Sequence, residues 1–176
     1  MTLVVYAHPH HPRARANREM LRALESLPAV TVRALYDLYP DFDIDVAAEQ
    51  AAVAAADAVV LQHPLYWYAM PALAKLWLES VFVHGWAYGD GGRAVAGKRF
   101  LWAVTTGGGD ADYQPGAVHD HPFEAFVPPV AQFARYCGMS WETPFVLHGA
   151  HRVDEAALRA RAAAYRAQVA TLAEHA

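Results

Sequence analysis

The stretch Leu3-Val4-Val5-Tyr6-Ala7-His8-Pro9 decides the fold: an apolar run that stops at a polar, proline-stiffened loop. Two later segments share its layout. His63-Pro64-Leu65-Tyr66-Trp67-Tyr68-Ala69-Met70-Pro71 and Thr105-Thr106-Gly107-Gly108-Gly109 each follow a short apolar run and precede a helix-like stretch. In an open parallel sheet, loops at the carboxyl ends of the strands line the binding crevice. These three segments are therefore expected to meet in space, although they lie far apart in the chain.

Strand-like runs fall at Leu3–Tyr6, Val30–Leu35, Ala58–Leu61, Phe100–Val104 and Phe145–Leu147. Each is short, apolar and rich in β-branched or aromatic residues, as buried parallel strands should be. Helix-like stretches separate them. Ala14–Leu27 repeats apolar residues at Met20, Leu21, Leu24 and Leu27 and stops at Pro28. Val46–Ala56 is alanine-rich, and Pro71–Phe82 opens with a proline in its first turn. Phe123–Cys137 ends at Gly138, a natural cap, and Asp154–Ala173 alternates Arg with Ala. Strands alternating with helices predict an α/β fold with a parallel sheet covered on both faces. Five strands suit the flavodoxin-like order 2-1-3-4-5, with a ligand where the order reverses. No repeat, linker or low-complexity tail interrupts the chain, so residues 1–176 read as a single domain. The glycine-rich region His84 to Gly97 reads as a long connection before the fourth strand.

At 176 residues the chain has room for one sizeable core. A net charge of −4 with scattered arginines gives no basic footprint for nucleic acid. One cysteine, Cys137, excludes an intrachain disulfide and fits a reducing compartment. No signal-peptide pattern precedes the first strand. The most apolar region, Val46 to Leu61, is broken by Glu49, Gln50 and Asp57, too polar to span a bilayer. The expectation is a cytoplasmic protein without direct membrane insertion.

Each of the three loops carries a candidate chemistry. At His8–Asn17, a helix start offers free N–H groups and the positive end of its dipole, joined by Arg13, Arg15 and Asn17. A solvated basic helix start is the alternative, and placement after the first strand favours an anion site. At Pro64–Pro71, the aromatics Tyr66, Trp67 and Tyr68 suit stacking on a planar heterocycle, with core or subunit interface as the alternative. At Thr105–Gly109, glycine lets backbone N–H groups approach a ligand and stabilise negative charge, with a plain turn as the alternative. Tyr113 and His119 follow in the same loop and form a candidate proton relay, against a role as polar surface.

Several motif matches lack their context. Gly92-Arg93-Ala94-Val95-Ala96-Gly97-Lys98 imitates a phosphate loop, but Arg99 stands where a hydroxyl must hold magnesium. Gly89-Asp90-Gly91-Gly92-Arg93-Ala94 has no strand before it and no helix after it. None of Ser26, Ser80 and Ser140 sits in a nucleophile elbow. The histidines at 8, 10 and 11, and those at 119 and 121, have no recognised metal-ligand spacing.

Taken together, these segments resemble the flavodoxin-like NAD(P)H:quinone oxidoreductases, the DT-diaphorase family. Within it they are most similar to the ancillary flavoproteins of glutathione-gated potassium efflux systems. The resemblance runs from Leu3 to about Leu172. It is carried by the Tyr-Ala-His-Pro start, Asp37-Leu38-Tyr39-Pro40-Asp41-Phe42, Gln62-His63-Pro64, Trp67-Tyr68, Pro71 and Lys75-Leu76-Trp77. His84-Gly85-Trp86-Ala87-Tyr88-Gly89 and Trp102 through Gly109 complete it.

The resemblance implies a flavin-binding domain and a role for each matching residue. His8 would contact the flavin phosphate and ribityl chain, and Ala14, Arg15, Ala16 and Asn17 would cradle the phosphate. Leu65, Tyr66, Trp67 and Tyr68 would hold the ring, with Trp67 and Tyr68 against it. Thr105, Thr106, Gly107 and Gly108 would bond the ring edge, and Tyr113 and His119 would be catalytic. Ala14 stands where the family usually offers a hydroxyl, so Arg13, Arg15 and helix N–H groups take that part. Tyr66 replaces a frequent Gln. The implied activity is two-electron, ping-pong hydride transfer from NAD(P)H through FMN, with FAD as the alternative, to a quinone or related electrophile. The implied assembly is a homodimer. The alternative function is a regulatory subunit of a membrane potassium-efflux antiporter, its flavin structural or redox-sensing, held at the inner membrane face by that partner.

Overall fold

β1 (Thr2–Tyr6), β3 (Ala58–Pro64) and β4 (Arg99–Thr105) form the centre of the sheet and are buried on both faces. Burial on both faces is why they read as continuous apolar runs. β2 (Val30–Ala34) lies at one edge, and β5 (Ser140–Trp141) and β6 (Phe145–Leu147) lie beyond β4. In the computed structural model, which describes residues 1–174, every pairing is parallel and the order is β2-β1-β3-β4-β5, with β6 also on β4. This is the flavodoxin-like order. Residues 175–176 of the expected domain lie outside the described residues.

The two faces of the sheet build two cores. Leu3, Val5, Val59, Leu61 and Trp102 point to one face, beneath α3 (Val46–Ala55), α4 (Ala72–Val81) and α5 (Pro128–Tyr136). Val4, Val60, Leu101 and Ala103 point to the other, beneath α1 (Arg15–Leu24) and α6 (Glu155–Glu174). The Arg/Ala alternation of α6 hides an inner stripe: Leu158, Ala162, Tyr165, Val169 and Leu172 are all buried at helical spacing. No helix of the described residues is long and apolar enough to cross a membrane.

Beyond shifts of up to three residues, as at the ends of α1 and β3, three regions differ from the sequence pattern. The expected strand Val30–Leu35 stops at Ala34, because Leu35 begins the short helix α2 (Leu35–Leu38). That turn delivers Tyr39 to the buried carboxylate of Glu49. Tyr39 Oη and Arg33 Nε donate to Glu49 Oε1, each at 2.6 Å, and Trp77 Nε1 donates to Oε2 at 2.8 Å. Removing one partner of such a buried pair costs about 3–5 kcal/mol. The expected helix Phe123–Cys137 is split into a 3-10 turn (Phe123–Phe126) and α5, whose first two residues are Pro128 and Pro129. Prolines start helices and do not continue them. The fifth strand position holds two pieces. Phe100 pairs with Trp141 and Ala103 with Phe145, so the partner strand carries an extra residue. Pro144, with no N–H to give the ladder, sits in that bulge.

Candidate functional site

The loops after β1, β3 and β4 do meet. They enclose a cavity of about 320 Å³ at the carboxyl end of the sheet. His8, His10 and residues Arg13–Asn17 come from the first loop, Pro64–Tyr66 from the second and Thr105–Gly107 from the third. Ala150 and His151 join from the loop after β6. Sequence reasoning missed these two, although the rule that found the other loops applies equally to Gly149-Ala150-His151.

No acidic residue lines the cavity, while His8, His10, His151, Arg13 and Arg15 do. Burial lowers the His8 pKa to about 4, and the charges that His10, His11 and His151 can carry push the same way. An anion in the cavity would relieve that repulsion. The amino end of α1 opens here with Ala14 at its cap, and no side chain caps it. The N–H groups of Arg15, Ala16 and Asn17 consequently have no intrahelical acceptor. A cation-rich pocket at an uncapped helix start fits a phosphate, so these residues fit the phosphate of the implied flavin. Among the described residues no group of three or more His, Cys, Asp or Glu is placed to hold a metal ion.

Asn17 enters differently from its expected part. Its side chain is buried and committed within the protein. Nδ2 donates to Thr105 Oγ1 at 2.7 Å, and Gln62 Nε2 donates to Oδ1 at 3.2 Å and to the Asn17 carbonyl at 3.0 Å. Gln62 in turn accepts from Tyr165 Oη at 2.9 Å. The network ties α1 and α6 to the ends of β3 and β4, and leaves Asn17 only its backbone for a ligand.

The loop after β4 is wired to leave two donors free. Thr106 N–H donates to Leu147 O at 3.0 Å, and Gly109 N–H to Asp112 Oδ2 at 2.7 Å. The N–H groups of Gly107 and Gly108, between them, have no partner among the described residues. Gly108 also makes room for His119: a Cβ there would lie 2.5 Å from His119 Nε2. The rings of Tyr113 and His119 stack at 4.2 Å. Tyr113 is buried, which raises its pKa, while the neighbouring Thr106 hydroxyl pulls the other way. Tyr68 Oη lies 3.4 Å from His119 Nδ1. The structure thus brings Tyr68, Gly108, Tyr113 and His119 together, but none of the four lines the cavity. His148, absent from the sequence reading, stands beside them with Nδ1 3.0 Å from Thr106 Oγ1. Burial lowers its pKa.

The loop after β3 ends in a tight hairpin. Tyr66 and Ala69 exchange both backbone hydrogen bonds, at 3.3 and 3.0 Å, around Trp67 and Tyr68. Both central residues have positive φ, +48° and +62°, the conformation a two-residue turn demands and that Asn or Gly usually supplies. Leu65 and Tyr66 line the cavity. Trp67 and Tyr68, expected beside the same ligand, do not; Trp67 is 92% exposed and Tyr68 stacks on Phe126 at 5.1 Å.

With this geometry in view, the relatives are informative. A family model described as flavodoxin-like fold matches residues 1–169. The glutathione-regulated potassium-efflux system ancillary protein KefF of Enterobacter sp. (strain 638) is 49% identical over 167 residues, covering 94% of this chain and 93% of that one. General stress protein 14 of Treponema denticola, solved in complex with FMN, superposes with a TM-score of 0.90 at 34% identity, covering 97% of this chain and 98% of that one. An NADPH-quinone reductase from P. pentosaceus superposes with a TM-score of 0.87 at 28% identity, covering 96% and 97%. The fold, the sheet order and these matches agree: the chain belongs to the flavodoxin-like family, alongside the quinone reductases and potassium-efflux ancillary proteins it resembles.

Proposed function

We propose that the chain binds FMN and acts as an NAD(P)H:quinone oxidoreductase. The observation that carries this reading is two kinds of donor at one cavity, with Gly107 on its wall and Gly108 next to it in the chain. A cation-rich, acid-free end lies at an uncapped helix start, and a pair of free glycine N–H groups lies along the loop after β4. The first suits a phosphate and the second the edge of a ring that gains negative charge. FMN in the T. denticola relative and NADPH-quinone reductase activity in the name of the P. pentosaceus relative support it.

Bound FMN would supply two-electron hydride chemistry, from NAD(P)H to a quinone in ping-pong fashion. The residues divide the remaining work. His8, Arg13, Arg15 and the N–H groups of Arg15–Asn17 bind the phosphate. Leu65 and Tyr66 form the side wall, and Trp67 and Tyr68 offer aromatic faces that a planar ring or a second subunit covers. Thr105 and Thr106 set the loop that aims the Gly107 and Gly108 N–H groups. Net turnover takes one proton from solvent for each quinone reduced, and Tyr113 and His119 hold and move it. The assembly is a homodimer whose contact uses the aromatic residues between Tyr66 and Tyr88.

The visible spectrum of the purified protein tests this, followed anaerobically by NADPH and then menadione. Flavin bands that bleach and then return are expected. A protein that takes up neither FMN nor FAD overturns the reading. The 49% identity to KefF favours a second role, as ancillary subunit of a membrane potassium-efflux antiporter. A bound flavin that NADPH leaves oxidised, with co-purification of the antiporter, would make that role the principal one.

A further inference from the structure

His63 is a polar ring that no step of the proposed reaction uses, one layer behind the cavity wall. It lies near the end of β3 and is wholly buried. The indole nitrogen of Trp102, which can only donate, lies 2.8 Å from His63 Nε2. That nitrogen therefore accepts and carries no proton. The ring proton sits on Nδ1, which donates to the Pro64 carbonyl at 2.9 Å. Burial lowers the pKa of the ring to about 4 and so keeps it neutral at neutral pH.

The Pro64–Leu65 peptide is gripped from both sides. Its C=O receives the His63 proton, and its N–H donates to the Thr105 carbonyl at 2.7 Å. Pro64, Leu65 and Thr105 all line the cavity. An apolar side chain could fill the position of His63, but it would leave the indole N–H and the Pro64 carbonyl buried and unpaired. It would also release one of the two holds on that peptide plane.

We infer that His63 is a positioning residue: its Nδ1–H fixes the Pro64–Leu65 peptide and so sets the wall against which the flavin ring lies. The inference rests on the flavin reading above. It assigns His63 no contact with ligand and no proton transfer.

A pair of substitutions separates the two bonds of the ring. His63→Asn puts an amide N–H where Nδ1–H stood and keeps the hold on Pro64, while losing the partner of Trp102. His63→Gln puts its amide at the Nε2 position, keeps Trp102 and releases Pro64. Each loses one buried hydrogen bond, so a merely structural role moves both alike. Full-length protein stripped of flavin is titrated with FMN and with riboflavin, which has the ring without the phosphate. Affinity of His63→Asn should stay within about threefold of wild type, and His63→Gln should weaken both ligands by about tenfold or more. Equal effects in the two variants, or none in either, overturn the inference while leaving the flavin reading intact. Wild-type protein that takes up neither ligand overturns the flavin reading, and this one with it. Should a variant not fold, labelled imidazole in the wild type decides. A proton on Nδ1 whose exchange slows when FMN is added supports the role, and a proton on Nε2, or unchanged exchange, overturns it.

Discussion

His63 and Trp67 belong to one short segment, yet the first is wholly buried and the second is 92% exposed. The base of the segment obeys every rule of a protein interior: both His63 nitrogens are paired, and the Pro64–Leu65 peptide is held on both sides. The tip breaks those rules, with a tryptophan and a tyrosine at positive φ and the larger ring in water. Such violations gather at functional sites, where surrounding structure holds a conformation the residues would not choose. Within this single loop, stability is built at the base and function at the tip.

Substitution at the base should be the most damaging. His63→Ala strands the Trp102 N–H and the Pro64 carbonyl and opens a void, and should cost about 3–5 kcal/mol in urea unfolding. Trp67→Ala should change stability by no more than about 0.5 kcal/mol. A comparable loss at both positions would erase the contrast.

Acid titration sharpens it next. His63 has its pKa lowered from 6.5 to about 4 by burial, so the unfolded chain takes up a proton before the native one does. Its contribution is fully present above pH 6.5 and is lost as pH falls to about 4, by about 3 kcal/mol. His63→Asn should remove that part of the slope. His8 is lowered to about 4 as well, but on the cavity wall among other histidines. A bound phosphate would raise its pKa. FMN should therefore remove the acid sensitivity due to His8 and leave that of His63, which unfolding midpoints with and without FMN across pH 4–7 would reveal.

A third test extends the contrast across the loop. Tyr68, on the tip, reaches His119, which occupies the space a Gly108 Cβ would need. Gly108→Ala must drive the imidazole from its stack on Tyr113. Displacement of a relay group should slow NADPH-dependent reduction about tenfold. Stability should fall by less than about 1 kcal/mol, because the part-exposed ring can swing aside. A stable variant with unchanged rate would remove His119 from the mechanism.

How much of this was legible in the sequence follows the same division. β1, β3 and β4 announce themselves because strands buried on both faces leave unbroken apolar runs. Their carboxyl-end loops follow from topology alone, and His151 was within reach of the same rule. Ser140–Trp141 escaped because two paired residues leave no period to detect. Leu35 read as the last residue of the strand, since it is as apolar as the residues before it, and a helix of only four residues, Leu35–Leu38, leaves no period to detect. The inward turn of Asn17 depends on Thr105 and Gln62, partners remote in sequence that only the assembled sheet brings near. The left-handed turn at Trp67 and Tyr68 carries no Gly or Asn to signal it.

At Trp67 that missing signal makes the sign of a small stability change informative. Trp67 holds φ at +48° and buries almost nothing, so nothing in the described fold repays its conformation. Left-handed backbone costs an ordinary L-residue about 1–2 kcal/mol and costs glycine little. Trp67→Gly should therefore raise stability, by about 1 kcal/mol after the extra chain entropy glycine gives the unfolded state. If the tip serves a ligand or a second subunit, the same substitution should weaken flavin retention or quinone turnover. A gain in stability with a loss of function would mark the tip as a site held in strain for use. A gain in stability with function intact would leave Trp67 without a role, and a loss of stability would mean that the tip, like the base, is part of what holds the fold together.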